Sequence, residues 1–160
     1  MAEVRIEQAQ ARRNDATLPV FGMAEGTQVL TLDGALPVEY LTPGDRILTR
    51  SGVRRLKAVE IARVQNARMV RVAADVLGTG RPEAPVWLVA DQPILVRDWR
   101  AKALYGQAQA LVPARRLCDG EFIRAERPAE ARIYTLKLDG AAVIYAGGLE
   151  LACDAETVPA

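Results

Sequence analysis

Histidine is absent from all 160 residues. That absence excludes Ser-His and Cys-His catalysis and every histidine-containing zinc site. It also removes the one side chain whose ordinary pKa lies near neutrality. Cysteine is scarce: Cys118 and Cys153 are the only two, far apart in sequence. They do not amount to a disulfide framework and are expected as reduced thiols in a cytosol. Cys118 lies in an apolar stretch and suits a small core residue. An excess of one charge is missing too, with 21 basic against 20 acidic residues. A general binder of nucleic acid or of membrane surfaces needs a one-signed field, so neither is expected. No apolar run is long enough to cross a bilayer, and no membrane insertion is expected. Residues 1–15 carry Glu3, Arg5, Glu7, Arg12 and Arg13 with no apolar centre, unlike a secretory signal. The expected location is cytoplasmic.

What is present suits one domain. Half the residues are apolar and 26% are charged, enough for a real core with a solvated surface. Residues 1–18 form a polar arm or lead-in, 19–151 the domain, and 152–160 a tail that loses the pattern. No repeat or low-complexity tract stands out. Short apolar runs alternate with turn signals. Gln28 to Leu32 is a strand ended by Asp33-Gly34, and Pro37 to Leu41 is a second. Thr42-Pro43-Gly44-Asp45 suits a type II turn, and Arg46 to Arg50 follows as a strand. Val53 to Val64, Ala67 to Val76 with its alternating Met69-Val70-Arg71-Val72, Val86 to Val89 and Ile94 to Val96 continue the series, with Pro93 at a strand end. Trp99 to Tyr105 lies in a charged loop. Leu111 to Leu117 makes a short helical turn with Pro113 near its start. Arg132 to Leu138, Asp139-Gly140 and Ala141 to Ala146 form a hairpin. This pattern predicts an all-β, or β-rich, fold with one or two short helical turns.

Four blocks carry a family likeness. They are Gly26-Thr27 with Pro37-Val38-Glu39 and Leu41-Thr42-Pro43-Gly44-Asp45; Leu88 to Leu95; Leu111 to Leu117 with Asp119-Gly120; and Tyr134 to Asp139 with Val143 to Gly148. In this order the chain resembles the bacterial Hint (Hedgehog/intein) domain family over Val20 to Gly148. The resemblance implies a pseudo-two-fold, horseshoe-like β-fold. It also implies a reaction. In active members a Cys or Ser attacks the carbonyl of the residue before it, and a histidine of the second block polarises that amide. An amide is a poor electrophile, so both groups are needed.

On this alignment the nucleophile position is Gly22, the histidine position falls on Pro93, and the polar pair of the fourth block becomes Ala141 and Ala142. The resemblance therefore implies a degenerate member with no catalytic residues, and autoprocessing is expected to be lost. Thr27 and Thr31 do not adjoin the Phe21–Gly22 bond. Asp91 is expected to cap a turn and Cys118 to lie in the core.

Other candidates are weaker. Arg54, Arg55 and Lys57, then Arg97, Arg100 and Lys102, then Arg115 and Arg116 are basic groups suited to a solvated surface. Gly78-Thr79-Gly80 precedes Arg81-Pro82 and opens no helix, so it is no nucleotide loop. Glu83, Asp91 and Asp98 lack calcium-loop spacing. No cofactor and no metal are expected. The function expected is a non-catalytic structural or protein-interaction module, such as an accessory subunit of a larger bacterial complex. Its candidate partner contacts are residues 1–18 together with Trp99, Arg100 and Tyr105. The alternative is an enzyme with altered self-processing or hydrolytic chemistry, using Asp91 or Cys118.

Overall fold

A computed structural model describes residues 18–156. The expected lead-in therefore falls outside the described residues, apart from Leu18, as does the end of the expected tail. Strands dominate. β1 (Met23–Ala24), β2 (Gln28–Thr31), β3 (Gly34–Pro37), β4 (Arg46–Thr49) and the long β5 (Gly52–Val64) come first. β6 (Met69–Val72), β7 (Val86–Val89) and β8 (Pro93–Val96) follow, then helix α1 (Trp99–Tyr105) and β9 (Ala110–Pro113). β10 (Ile123–Glu126), β11 (Ala131–Leu138), β12 (Ala142–Ala146) and β13 (Leu149–Ala155) complete the order. The β-rich expectation holds. Among the described residues no helix is long and apolar enough to cross a membrane.

The strands lie in the order β10-β6-β7-β1-β11-β5-β4-β2-β12-β13-β8-β9, with β3 added on β2. β5 joins the two halves of this path. Its opening residues pair antiparallel with β4, and from Leu56 onward it pairs with β11. A parallel contact, Lys137 to Asp154 and Leu138 to Ala155, ties β11 to β13 and closes the curve. The main core fills the inside with Val29, Ile47, Leu56, Ile61, Leu88, Ile94, Leu136 and Leu151. A smaller cluster of Val64, Ala67, Met69, Val89 and Ile133 lies apart from it, with Leu18 and Ala24 against its edge.

Two stretches of the chain build the same unit twice. In the first, β2 and β3 form a hairpin with Gln28 opposite Pro37. Pro37 then opens a 3-10 turn, Val38–Tyr40, and Leu41 follows it fully buried. In the second, β8 and β9 form a hairpin with Pro93 opposite Pro113. Pro113 opens the 3-10 turn Ala114–Leu117, whose last residue is buried. The two prolines have φ −57° and ψ of 141° and 137°. Val38 N–H donates to the Thr27 carbonyl at 2.8 Å, and Ala114 N–H to the Gln92 carbonyl at 2.9 Å. Thr27 and Gln92 are thus equivalent, each just before its hairpin. This is the pseudo-two-fold of the fold, and it was not visible as a sequence repeat.

The copies differ at the hairpin tip. The first turns through Leu32 and Asp33, whereas the second makes the excursion 97–109, which contains α1. The expected charged loop is therefore a helix. The Asp98 carboxylate accepts from the Arg100 N–H as its N-cap, and Gly106 ends it in the left-handed region at φ +68°.

Three further expectations change. The strand proposed for Pro37 to Leu41 ends at Pro37, because the proline turn takes over. The hairpin proposed across Asp139-Gly140 does not form. β11 is already flanked by β1 and β5, and β12 by β13, β2 and β4. Tertiary pairing outweighs the local turn preference. Residues 152–155 of the proposed tail belong to β13, with Leu151 and Cys153 buried.

One charge sits inside this core. Glu150 on β13 is only 3% exposed. It accepts hydrogen bonds from Arg50 and Arg81, each at 2.8 Å, and from Arg97. Burial is the largest influence on its carboxyl and favours the neutral form. Hydrogen bonds from Arg50 and Arg97 and the charges of Arg97 and Arg81 together outweigh it, so Glu150 ionises below the usual carboxylate range. Its proton is then held more tightly in the unfolded chain. The stabilisation is complete above the unfolded-state pKa and is lost as pH falls through the folded-state value. We expect Glu150→Gln to cost on the order of 2 kcal/mol at neutral pH and to flatten the acid limb of the stability profile. Urea denaturation midpoints measured from neutral to acid pH test both; an unchanged acid limb in the variant would refute the assignment.

Candidate functional site at the Phe21–Gly22 peptide bond

The chain enters β1 through Phe21 and Gly22, and this peptide bond is gripped from two sides. The Gly22 N–H donates to Oε1 of Gln92 at 2.8 Å. The Phe21 carbonyl accepts from the Thr135 hydroxyl at 2.6 Å. The Gly22 carbonyl accepts from the Val89 N–H at 3.2 Å. Gln92 and Thr135 are 1% and 4% exposed. The Gln92 amide is itself oriented, because its Nε2 donates to the carbonyls of Pro93 and Ala152, each at 2.9 Å. One bond is thus held by the turn before β8, by β11 and, through Gln92, by β13.

Gly22 lies in a tight space. A Cβ built there would stand 2.6 Å from Cγ2 of Ile133, and 3.4 Å from both Thr135 Oγ1 and Val89 Cγ1. The backbone of Gly22 is not in the left-handed region. Packing against β11, rather than conformational freedom, is what requires glycine here. The place a side chain would occupy is filled by the Ile133 methyl.

These contacts correct the sequence alignment in two respects. The side chain that meets the Gly22 N–H is that of Gln92, one residue before Pro93; Pro93 is the first residue of β8 and lies opposite Pro113. And the bond does keep a polar neighbour that can donate to its carbonyl, the Thr135 hydroxyl, where the alignment left none. The structural repeat carries the signal for Gln92, since it stands where Thr27 does in the first copy. Thr135 has only the alternation of β11 to mark it.

The other predicted positions lie elsewhere. Ala141 is exposed on the connection between β11 and β12 and is not among the groups gripping the bond. Asp91 accepts from Arg115 at 2.7 Å, with both side chains about half exposed. The pair lines a recess of about 190 Å³ with Leu18, Pro19, Arg68 and Ala90, close to the chain entering Phe21. The Cys118 thiol is pushed up in pKa chiefly by burial, against the opposing pull of Arg68. The buried Cys153 thiol is pushed up to about 12. Neither is an activated thiolate. Trp99, Arg100 and Tyr105 gather on α1. Trp99 is 70% exposed, with the Arg100 guanidinium 4.8 Å from its ring centre.

A family model described as "Hint domain" matches residues 21–156. Among solved structures, the chain is similar to a bacterial intein-like domain from Clostridium thermocellum, with TM-score 0.61 and 16% identity over 83% of this chain and 97% of that one. It is similar to the TvoVMA intein with TM-score 0.57 and 12% identity, covering 84% and 98%. It is similar to a DnaB intein from Synechocystis sp. PCC 6803 with TM-score 0.56 and 9% identity, covering 84% and 99%. At such identities these structures speak for the fold alone. Curated protein sequences give no match.

Placing a thiol at this position by Gly22→Cys is expected to destabilise the domain by about 1–3 kcal/mol through overpacking on Ile133. It is also expected to leave the chain whole under dithiothreitol. Adding Ile133→Ala should recover part of the overpacking penalty relative to Ile133→Ala alone. Denaturation midpoints of the four proteins and intact-mass spectra give the answer; rapid cleavage at Phe21–Gly22 in the single variant would contradict this account of the site.

Proposed function

The chain belongs to the Hint domain family, and from that premise we propose that it is a non-catalytic member that acts as a protein-interaction module. One observation carries this reading: residue 22 has no side chain, and Ile133 fills the space one would need. Gln92 replaces an acid-base group with an amide, which neither takes nor gives a proton at neutral pH. It accepts from the Gly22 N–H and cannot protonate a leaving nitrogen. The two hydrogen bonds on the Phe21–Gly22 peptide then have a structural purpose, since buried backbone polar groups require partners.

The interaction surface is the insertion between β8 and β9. The first copy of the unit makes its turn with two residues, so α1 is not needed to close a hairpin. It displays Trp99 almost freely, with Leu104, Tyr105 and Leu111 also exposed. The Arg116 guanidinium lies 5.3 Å from the Tyr105 ring centre. Aromatic and arginine side chains of this kind anchor interfaces. Residues 97–118 contain Arg97, Arg100, Lys102, Arg115 and Arg116; Glu150, Asp98 and Asp91 pair with Arg97, Arg100 and Arg115, which leaves Lys102 and Arg116 as the surplus. This local imbalance suits a partner with an acidic face. Attachment to a larger bacterial assembly in the cytoplasm is the role that best accommodates these features.

Thr135 motivates a second reading. Its hydroxyl touches the Phe21 carbonyl; attack of that hydroxyl oxygen on the carbonyl carbon would form a Phe21–Thr135 ester as the C–N bond to Gly22 breaks and the Gly22 nitrogen takes the proton, and water would then hydrolyse the ester. Threonine is a weak nucleophile without a base, and its proton is already donated to the carbonyl oxygen. The purified protein is expected to remain full length on long incubation. Cleavage after Phe21 that disappears in Thr135→Val would favour the second reading.

For the first, affinity purification from the native host compares the wild type with two variants. One is Trp99→Ala with Tyr105→Ala; the other replaces residues 98–109 by a short turn and keeps Arg97 on Glu150. A partner retained by the wild type and lost by both folded variants is the expected result. Equal recovery by all three would remove α1 from the interface.

A further inference from the structure

Glu150 is surrounded by more positive charge than it can balance. Arg50, Arg81 and Arg97 each place one nitrogen on its carboxylate. Three cations and one anion leave two positive charges in excess. Asp98, which lines the adjoining recess, is already paired with Arg100. A guanidinium has five N–H groups, so most donors of the three arginines are left over after the bonds to Glu150. Their side chains are 36%, 32% and 42% exposed, against 4% for that of Glu150. The carboxylate is sealed beneath, and the cations form its outer layer. A recess of about 90 Å³ opens beside them, lined by Leu77, Arg81, Leu95, Val96, Arg97 and Asp98.

We propose that Arg81 and Arg97, with Arg50 beside them, form a binding site for a phosphate-type oxyanion. The guanidinium fork matches tetrahedral oxyanions and carboxylates by paired hydrogen bonds. A doubly charged oxyanion balances the two excess charges, whereas chloride or a carboxylate balances one. Glu150 prepares the site. It holds three flexible side chains in place before the ligand arrives, which lowers the ordering cost of binding. The three arginines come from distant parts of the chain: the turn after β4, the connection between β6 and β7, and the end of β8. An anion there joins these segments at the surface as Glu150 joins them below. The site does not depend on the role proposed for α1, although Arg97 and Asp98 lie at the start of that excursion.

Inorganic phosphate is the probe. It is titrated against the wild-type protein at constant ionic strength, with chloride as the balancing salt, while backbone amide resonances and the thermal midpoint are followed. Saturable shifts centred on Leu77, Arg81 and Arg97, with a rise in midpoint that chloride does not give, are expected. Sulfate is expected to act similarly. Arg81→Gln should weaken binding at least tenfold. If that variant does not fold, the wild-type titration still decides. No saturable shift up to concentrations on the order of tens of millimolar, or shifts scattered over the surface, would overturn the proposal. Phosphoserine separates the sources. Tighter binding than phosphate assigns the site to a phosphoryl group on a larger ligand, and weaker binding assigns it to the free ion.

Discussion

Two backbone hydrogen bonds set the frame of this domain: Val38 N–H to the Thr27 carbonyl, and Ala114 N–H to the Gln92 carbonyl. Each fixes a proline turn to the residue that opens its hairpin, and each thereby buries a leucine, Leu41 or Leu117. Repetition of that lock gives the molecule its two related halves. The same bond that positions Gln92 as a turn residue leaves its side chain free to meet Gly22. The local rule for building a hairpin thus also decides which residue faces the Phe21–Gly22 peptide.

On the proposed non-catalytic reading, that peptide shows how a polar site is satisfied by groups that transfer no proton. Its N–H and carbonyl are enclosed by strands and would be costly to leave unpaired. Gln92 and Thr135 satisfy them, and the Gln92 amide is held in turn by β13. A glutamine does this as well as a group that can transfer a proton. Thr135 and Ile133 alternate with Tyr134 on β11, so one strand supplies both the donor for the carbonyl and the methyl that occupies the side-chain space of residue 22.

Much of the architecture was legible in the sequence because turn chemistry is local. Asp33-Gly34, Thr42 to Asp45 and Pro113 all mark real corners, and the Asp45 N–H closes its turn on the Thr42 carbonyl at 3.1 Å. Where the sequence misled, partners distant in the chain decided the outcome. Asp139-Gly140 looks like a hairpin turn, yet the strands on either side are already paired elsewhere. Residues 149–155 do alternate, with Leu149, Leu151 and Cys153 buried and Asp154 exposed, but the run is short, has no turn signal after it and carries a buried acid at Glu150. α1 was hidden by its brevity, although Asp98 and Gly106 bracket it as cap and stop. At the site, Gly22 was identified from its motif, but the second group was placed one residue late. Pro93 was aligned by its motif, while the side chain that reaches the bond is fixed by three-dimensional pairing. Of the arginines around Glu150, Arg97 was read as part of a solvated basic group and Arg50 and Arg81 were given no role, since nothing local to them points to a shared acid.

β13 touches three neighbours: β12 and β8 along one half, and β11 in parallel at the junction with the other. During synthesis the twelve strands before it emerge first, and several of them then present open edges. Until β13 has left the ribosome, β8 and β9 are not joined to β12, and the end of β11 lacks its parallel partner. The domain must therefore wait, largely complete in sequence yet unsealed, and its final strand acts as the fastener. Such dependence on late, distant pairing slows folding and lengthens the period in which a nascent chain benefits from protection.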